Sequence, residues 1–210
     1  MYSSRPNLMI GFHGCDQSVR DQLVTKPNSV KKSQESYDWL GHGFYIWENN
    51  QERAFQWATD NKERKKLKKP SVVGVLFQLS HCLDFTDSAS INILSKYYSL
   101  MKEDFDRLKK LLPANKDLPK DEHHDLILRE LDCAVIEYIH QTIDERVKAN
   151  IKASGFSELK HFDTTRGVFT EGGPAFDGAG IQSKNHIQIC IRNLNCIKGF
   201  FIPRDPVQFP

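Results

Sequence analysis

The run SVVGVLFQL at 71–79 is β-branched and apolar almost throughout, set off by Pro70 and ending before Cys82-Leu83-Asp84, and it is the clearest strand in the chain. Shorter apolar runs of the same kind lie toward both ends. Residues 7–14 (NLMIGFHG) predict a buried strand ending in glycine, with Asp16 as N-cap of an amphipathic helix reaching about Val24. The stretch 25–41 reads as a loop. GHGFYIW at 41–47 then predicts a strand, followed by a helix capped by Asn49 or Asn50, in which Ala54, Phe55 and Ala58 recur at helical spacing. From 88 to about 152 the character changes. Ile91, Leu94, Tyr98, Met101, Phe105 and Leu108 fall on one helical face, and after a break at Pro113 to Pro119 a second helix is expected from Asp121 past Val147. Beyond Gly155 strands return at 166–171, 186–192 and 196–202, the last two predicted as a hairpin about Asn193-Leu194-Asn195. The sum is an α+β domain, a single unit over 1–210, with strands at both ends and a helical insertion at about 88–152. No period of 20–50 residues repeats, so a solenoid or propeller is not supported.

Composition narrows the function classes. With 39% hydrophobic and 10% aromatic residues in 210, the chain is long enough to bury a core without disulfides or metals. The formal net charge of +2 is too balanced for wholesale binding to phosphate backbones, so any nucleic-acid contact must be local. The segment 62–69 carries six basic residues against Glu63. It reads either as a solvated basic helix end or as a phosphate-contacting patch for a nucleic-acid acceptor. Five scattered cysteines without a C-x-x-C pair argue for reduced thiols. No leader pattern is visible at the start and no stretch could span a bilayer, so a cytoplasmic protein without membrane contact is expected.

Chemistry concentrates in short segments. His13-Gly14 closes the first strand; alone, such a histidine is as readily a satisfied core residue. In Asp38-Trp39-Leu40-Gly41-His42-Gly43-Phe44-Tyr45-Ile46-Trp47, two glycines precede a tyrosine-bearing strand, which lets a planar ligand approach the backbone and stack on the ring. His186 and Gln188 share a strand face by alternation. Together the His-Gly strand, the Gly-x-Gly-x-Tyr strand with its Ala- and Trp-containing helix, and the late strand with an inward polar residue resemble the PARP-like, or diphtheria-toxin-like, ADP-ribosyltransferases. The resemblance covers about 60 of the 210 residues, and the helical region 88–152 takes no part in it.

The resemblance implies split antiparallel sheets with NAD, as substrate, in the cleft between them. His13 would hydrogen-bond a ribose hydroxyl, Gly14 would pair by its backbone with the nicotinamide amide, Tyr45 would stack on the nicotinamide, and Trp57 would close the sandwich. The family's late-strand glutamate, which stabilises the charge left as nicotinamide departs, is replaced here by Gln188. Gln188 can orient a ribose but supplies no anion. Glu171, opening the loop before that strand, is the candidate for the missing carboxylate, or else a solvated turn residue. The implied activity is mono-ADP-ribosyl transfer to a protein or nucleic-acid acceptor. Kinship with bacterial toxins further implies an antitoxin partner. NAD glycohydrolysis and an inactive nucleotide-binding module remain as alternatives. The loop GGPAFDGAG at 172–180 lies between strands rather than opening a helix, so it is no dinucleotide fingerprint; it reads as an acceptor-recognition loop with Phe176 exposed, or as a plain connection. Adjacent His123 and His124, and His81-Cys82, lack a matching pair at metal-ligand spacing. Cys15 beside His13 lacks an orienting third group for a nucleophile.

Overall fold

A computed structural model describes residues 4–5, 8–63, 65–119 and 121–205. Asn7 of the first expected strand, the side chain of Arg5 and Arg64 of the basic run lie outside the described residues. The elements in chain order are β1 (Ser4–Arg5), β2 (Met9–Asp16), α1 (Gln17–Thr25), β3 (Phe44–Glu48), α2 (Gln51–Asp60), β4 (Pro70–Phe77), β5 (Ser80–Asp84), α3 (Ser88–Arg107), β6 (Asn115–Lys116), β7 (Leu128–Arg129), α4 (Glu130–Ser154), β8 (Thr164–Phe169), β9 (His186–Ile191) and β10 (Ile197–Phe201). The fold is α+β, with a mixed, mostly antiparallel sheet of eight strands in the order β1-β5-β8-β9-β3-β2-β4-β10. Only β5 and β8 run parallel among these pairs.

Local chemistry accounts for the strand-turn-helix units. The Asp16 carboxylate accepts the Ser18 N–H as N-cap of α1 and also takes the backbone N–H groups of Lys68 and Lys69, tying the approach to β4 to the start of α1. Those bonds hold its pKa well below the usual carboxylate range. Asn50 caps α2 through the Arg53 N–H. Alternation along β4 then splits the packing. Val73, Val75 and Phe77 meet Leu23 of α1, Phe44, Ile46, Ile189 and Ile191 on one face, while Val72 meets Phe12, Trp47 and Ala54 of α2 on the other. Leu83 of β5 packs with Met101 of α3 and Ile139 and Ile143 of α4. On the face of α3 read from the sequence, Leu94, Tyr98, Met101 and Phe105 join this core; Ile91 and Leu108 stay exposed.

Four expectations are corrected. Eight of the strands form one continuous hydrogen-bonded order rather than two split sheets, with β6 and β7 paired separately, although the join between β2 and β3 is thin, covering only Gly11 with Glu48 and Phe12 with Trp47. The hairpin expected between 186–192 and 196–202 does not form: β9 has both edges taken by β3 and β8, and β10 crosses to pair with β4. Residues 80–84, read as lying beyond the strand, form β5 after a left-handed Ser80 at φ 52°. The second long helix begins at Glu130 rather than Asp121. Asp121 and Asp117 take the N–H groups of His123, Asp125 and Leu126, and left-handed His124 and Leu126 interrupt any helix there.

One close approach is decisive for the side of the sheet that carries α2. A Cβ on Gly14 would stand 2.2 Å from the Ala54 carbonyl oxygen and 3.2 Å from the Trp57 ring. Gly14→Ala is therefore expected to cost about 1–3 kcal/mol, read as a lowered urea midpoint with an unchanged slope.

Candidate functional site

An open cleft of about 540 Å³ lies over β3, β8 and β9, a size common for small-molecule sites. His13, Tyr45, Trp57, Glu171 and Gln188, all singled out from the sequence, line it. Gly14 does not; its bare Cα is turned to α2.

Register builds the floor. Trp47 of β3 and Gly167 of β8 stand directly opposite Gln188 of β9, one on each side, and Phe169 stands opposite His186. Gly167 leaves room for the Trp39 ring, which a Cβ there would meet at 2.8 Å. Trp39 in turn donates its indole N–H to the Gln188 carboxamide oxygen at 2.6 Å. The Gln188 oxygen is thus occupied and its amide N–H₂ is the group left to present to a ligand.

Tyr45 serves the turn before its own strand. Its hydroxyl donates to the Gly41 carbonyl at 2.8 Å and accepts the Leu40 N–H at 2.9 Å, and burial pushes its pKa well above the ordinary phenol range. The same turn is braced by the helical insertion. Glu137 of α4 accepts the His42 N–H at 2.7 Å and pairs with Arg192. The insertion reaches the cleft directly as well: Leu118, Asp121, Asp125 and Ile127 line it, and Asp125 takes the Gly172 N–H at 2.8 Å.

His13 shares a strand face with Phe44 rather than with Tyr45, and its ring lies 4.5 Å from the Phe44 ring. It reaches the cleft where β2 leaves β3. Its Nδ1 is 2.8 Å from the Tyr45 carbonyl oxygen, which accepts the Nδ1 proton and leaves Nε2 with a lone pair. Burial lowers its basicity, which favours that neutral form. Trp57 lies 5.6 Å from the Trp47 ring at an interplanar angle of 49°, a tilted contact between two tryptophans that both line the cleft.

Glu171 is no solvated turn residue. Its side chain is 14% exposed and ion-paired with Arg53, itself 8% exposed. His186, 3.8 Å from the same carboxylate, donates from Nδ1 to the Lys184 carbonyl at 2.7 Å and stacks on Phe169. Arg129, at the start of α4, covers the other side of Phe169 with its guanidinium 3.9 Å from the ring centre. Burial, reinforced by the two guanidinium charges, lowers His186 to about 4. Trp39, Arg53, Arg129, Glu137 and His186 were not among the candidates read from the sequence. Two of them carried a signal. His186 shares the face of Gln188, and Arg53 puts a cation in the first turn of α2, where the helix dipole disfavours it.

The remaining candidates fall elsewhere. Cys15 is buried and its thiol is pushed up to about 12, so it is protonated at neutral pH. No disulfide links the five cysteines. Among the described residues no group of three or more His, Cys, Asp or Glu is placed to hold a metal ion, and no helix is long and apolar enough to cross a membrane. In the loop at 172–180, Phe176 is 69% exposed. Compared with protein-family models, curated proteins and solved structures, the chain matches none.

The buried His186 makes an acid-sensitivity prediction. A folded pKa below the unfolded value near 6.5 means that the unfolded state takes up the proton first, so stability falls as pH drops below about 6.5 toward 4. Between pH 7 and pH 5 this one group removes about 2 kcal/mol. His186→Gln is expected to abolish that share of the pH dependence in urea titrations, and an unchanged slope between the two pH values would refute the assignment.

Proposed function

We propose that this chain is a mono-ADP-ribosyltransferase that takes NAD as substrate, releases nicotinamide and passes ADP-ribose to a protein or nucleic-acid acceptor. The observation that carries the reading is convergence: His13, Tyr45, Trp57, Glu171 and Gln188, spread from position 13 to position 188, line a single cleft of dinucleotide-compatible size. The fold is α+β, and its assignment to the ADP-ribosyltransferase architecture is part of this proposal.

Each polar group has a role that its hydrogen bonds allow. The His13 Nε2 lone pair accepts a ribose hydroxyl proton, and the Gln188 amide, its oxygen held by Trp39, donates to a ribose oxygen. Tyr45 and Trp57 supply ring faces for the nicotinamide. The C1′–N bond breaks with its electron pair leaving on nicotinamide, and the positive charge on the ribose needs an anion close by. Glu171 is the carboxylate the cleft offers in place of a glutamate at position 188. The acceptor then bonds to C1′ and sheds its proton to Glu171 or to water. Acceptor selection falls to the loop after Glu171, where Phe176 projects. An antitoxin partner, as the toxin-like kinship implies, would act by covering this same opening.

Labelled NAD tests the reading. Label on macromolecules supports transfer, free ADP-ribose alone indicates hydrolysis, and NAD binding without nicotinamide release indicates an inactive module. His13→Ala and Glu171→Gln are each expected to lower nicotinamide release by about a hundredfold or more. Wild-type rates in both variants would overturn the site. Gln188→Glu is expected to raise NAD hydrolysis, because it places a carboxylate beside the ribose.

A further inference from the structure

Three residues lining the cleft carry buried nitrogen atoms with no hydrogen-bond partner: Trp47 Nε1, Arg53 Nε and Nη1, and His186 Nε2. Their spacing makes them one cluster. The Trp47 and His186 rings lie 6.1 Å apart, and His186 and Arg53 both face the Glu171 carboxylate. A buried cation normally satisfies its donors, since each unmet one forfeits water without compensation. Arg53 is 6% exposed overall, and its ion pair with Glu171 engages only Nη2. Its Nε and Nη1 stay unmet.

We propose that Arg53, with the Trp47 indole N–H beside it, is a phosphate-binding subsite of the cleft, and that Glu171 occupies the guanidinium in the absence of a phosphorylated ligand. The unmet groups of Arg53 and Trp47 are donors only, which suits an anionic oxygen and no cation or neutral acceptor-poor group. Once Glu171 leaves Nη2, that nitrogen together with Nε or Nη1 forms a guanidinium edge that matches two phosphoryl oxygens side by side. His186 fits the same environment. With its proton on Nδ1 it adds no positive charge, and its Nε2 lone pair can take a hydroxyl proton of the attached sugar. The other carboxylates that line the cleft have partners of their own: Asp125 is engaged with Gly172, Asp121 with the backbone N–H groups of His123 and Asp125, Asp60 with Lys184, and Asp38 with Ser33 and Glu35. Resting on the NAD reading, the bound group is the dinucleotide's diphosphate. Its arrival releases Glu171 toward the ribose, so that the carboxylate becomes available only when substrate is seated.

Inorganic pyrophosphate, ADP-ribose and adenosine are the probes, measured by calorimetry on the full chain. Glu171→Gln frees the guanidinium and is expected to tighten pyrophosphate binding several-fold. Arg53→Gln combined with Glu171→Gln removes both charges together and is expected to weaken pyrophosphate and ADP-ribose by about tenfold or more, with adenosine unchanged. If Glu171→Gln leaves pyrophosphate affinity unchanged or lowers it, or if pyrophosphate does not bind at all, the subsite is overturned. That single variant decides the matter even where the double variant is unstable. Pyrophosphate binding that depends on Arg53, without any release of nicotinamide from NAD, keeps the subsite and removes the transferase reading. Nicotinamide release that falls in Glu171→Gln, with pyrophosphate affinity unchanged by that variant, does the reverse.

Discussion

Between α2 and the loop joining β8 to β9, where Lys184 and Asp60 pair at the surface, the buried link is the ion pair of Arg53 with Glu171. One partner rises from the first turn of α2 and the other opens the loop between β8 and β9. Both are largely out of water, so neither charge could stay without the other; removing one partner of such a pair costs about 3–5 kcal/mol. The pair thereby fixes where the loop begins, where α2 ends its approach to the sheet, and which carboxylate faces the cleft. His186 lies 3.8 Å from its carboxylate and 6.1 Å, ring to ring, from Trp47, while Arg129 covers the Phe169 ring on which His186 stacks.

The long helical insertion belongs to the site and is no remote appendage. Glu137 pins the turn at His42 that launches β3, and Asp125 holds the backbone of Gly172 just past Glu171. The segment before Arg129 forms a wall of the cleft, and Arg129 itself covers the Phe169 ring. A Cβ on Gly41, left-handed at φ 79°, would stand 2.6 Å from Glu137 Oε1, so the turn and the helix are fitted to each other.

Strand positions were legible wherever β-branched and aromatic runs sat between turn formers, as at 71–79 and 186–192, and both short helices were readable from Asp16 and Asn50 as caps. Pairing was not. Whether 196–202 folds back on its predecessor depends on which sheet edge is vacant, and that is settled by β3 and β8, far away in sequence. The start of α4 was hidden because Asp117 and Asp121 offer backbone amides an alternative to helical bonds. The candidate residues that line the cleft were found through motifs. Those missed, such as Trp39 and Arg53, act through partners 149 and 118 positions away, and no local pattern records such distances.

The central place of β9 has a consequence for biosynthesis. This strand carries Gln188 and His186 and lies between β8 and β3, so the floor of the cleft is missing until it emerges from the ribosome and inserts. A nascent chain that has already displayed His13 and Tyr45 still has a gap where the ligand would lie. The floor of the cleft is therefore complete only after translation has passed Ile191 and β9 has inserted between its two neighbours.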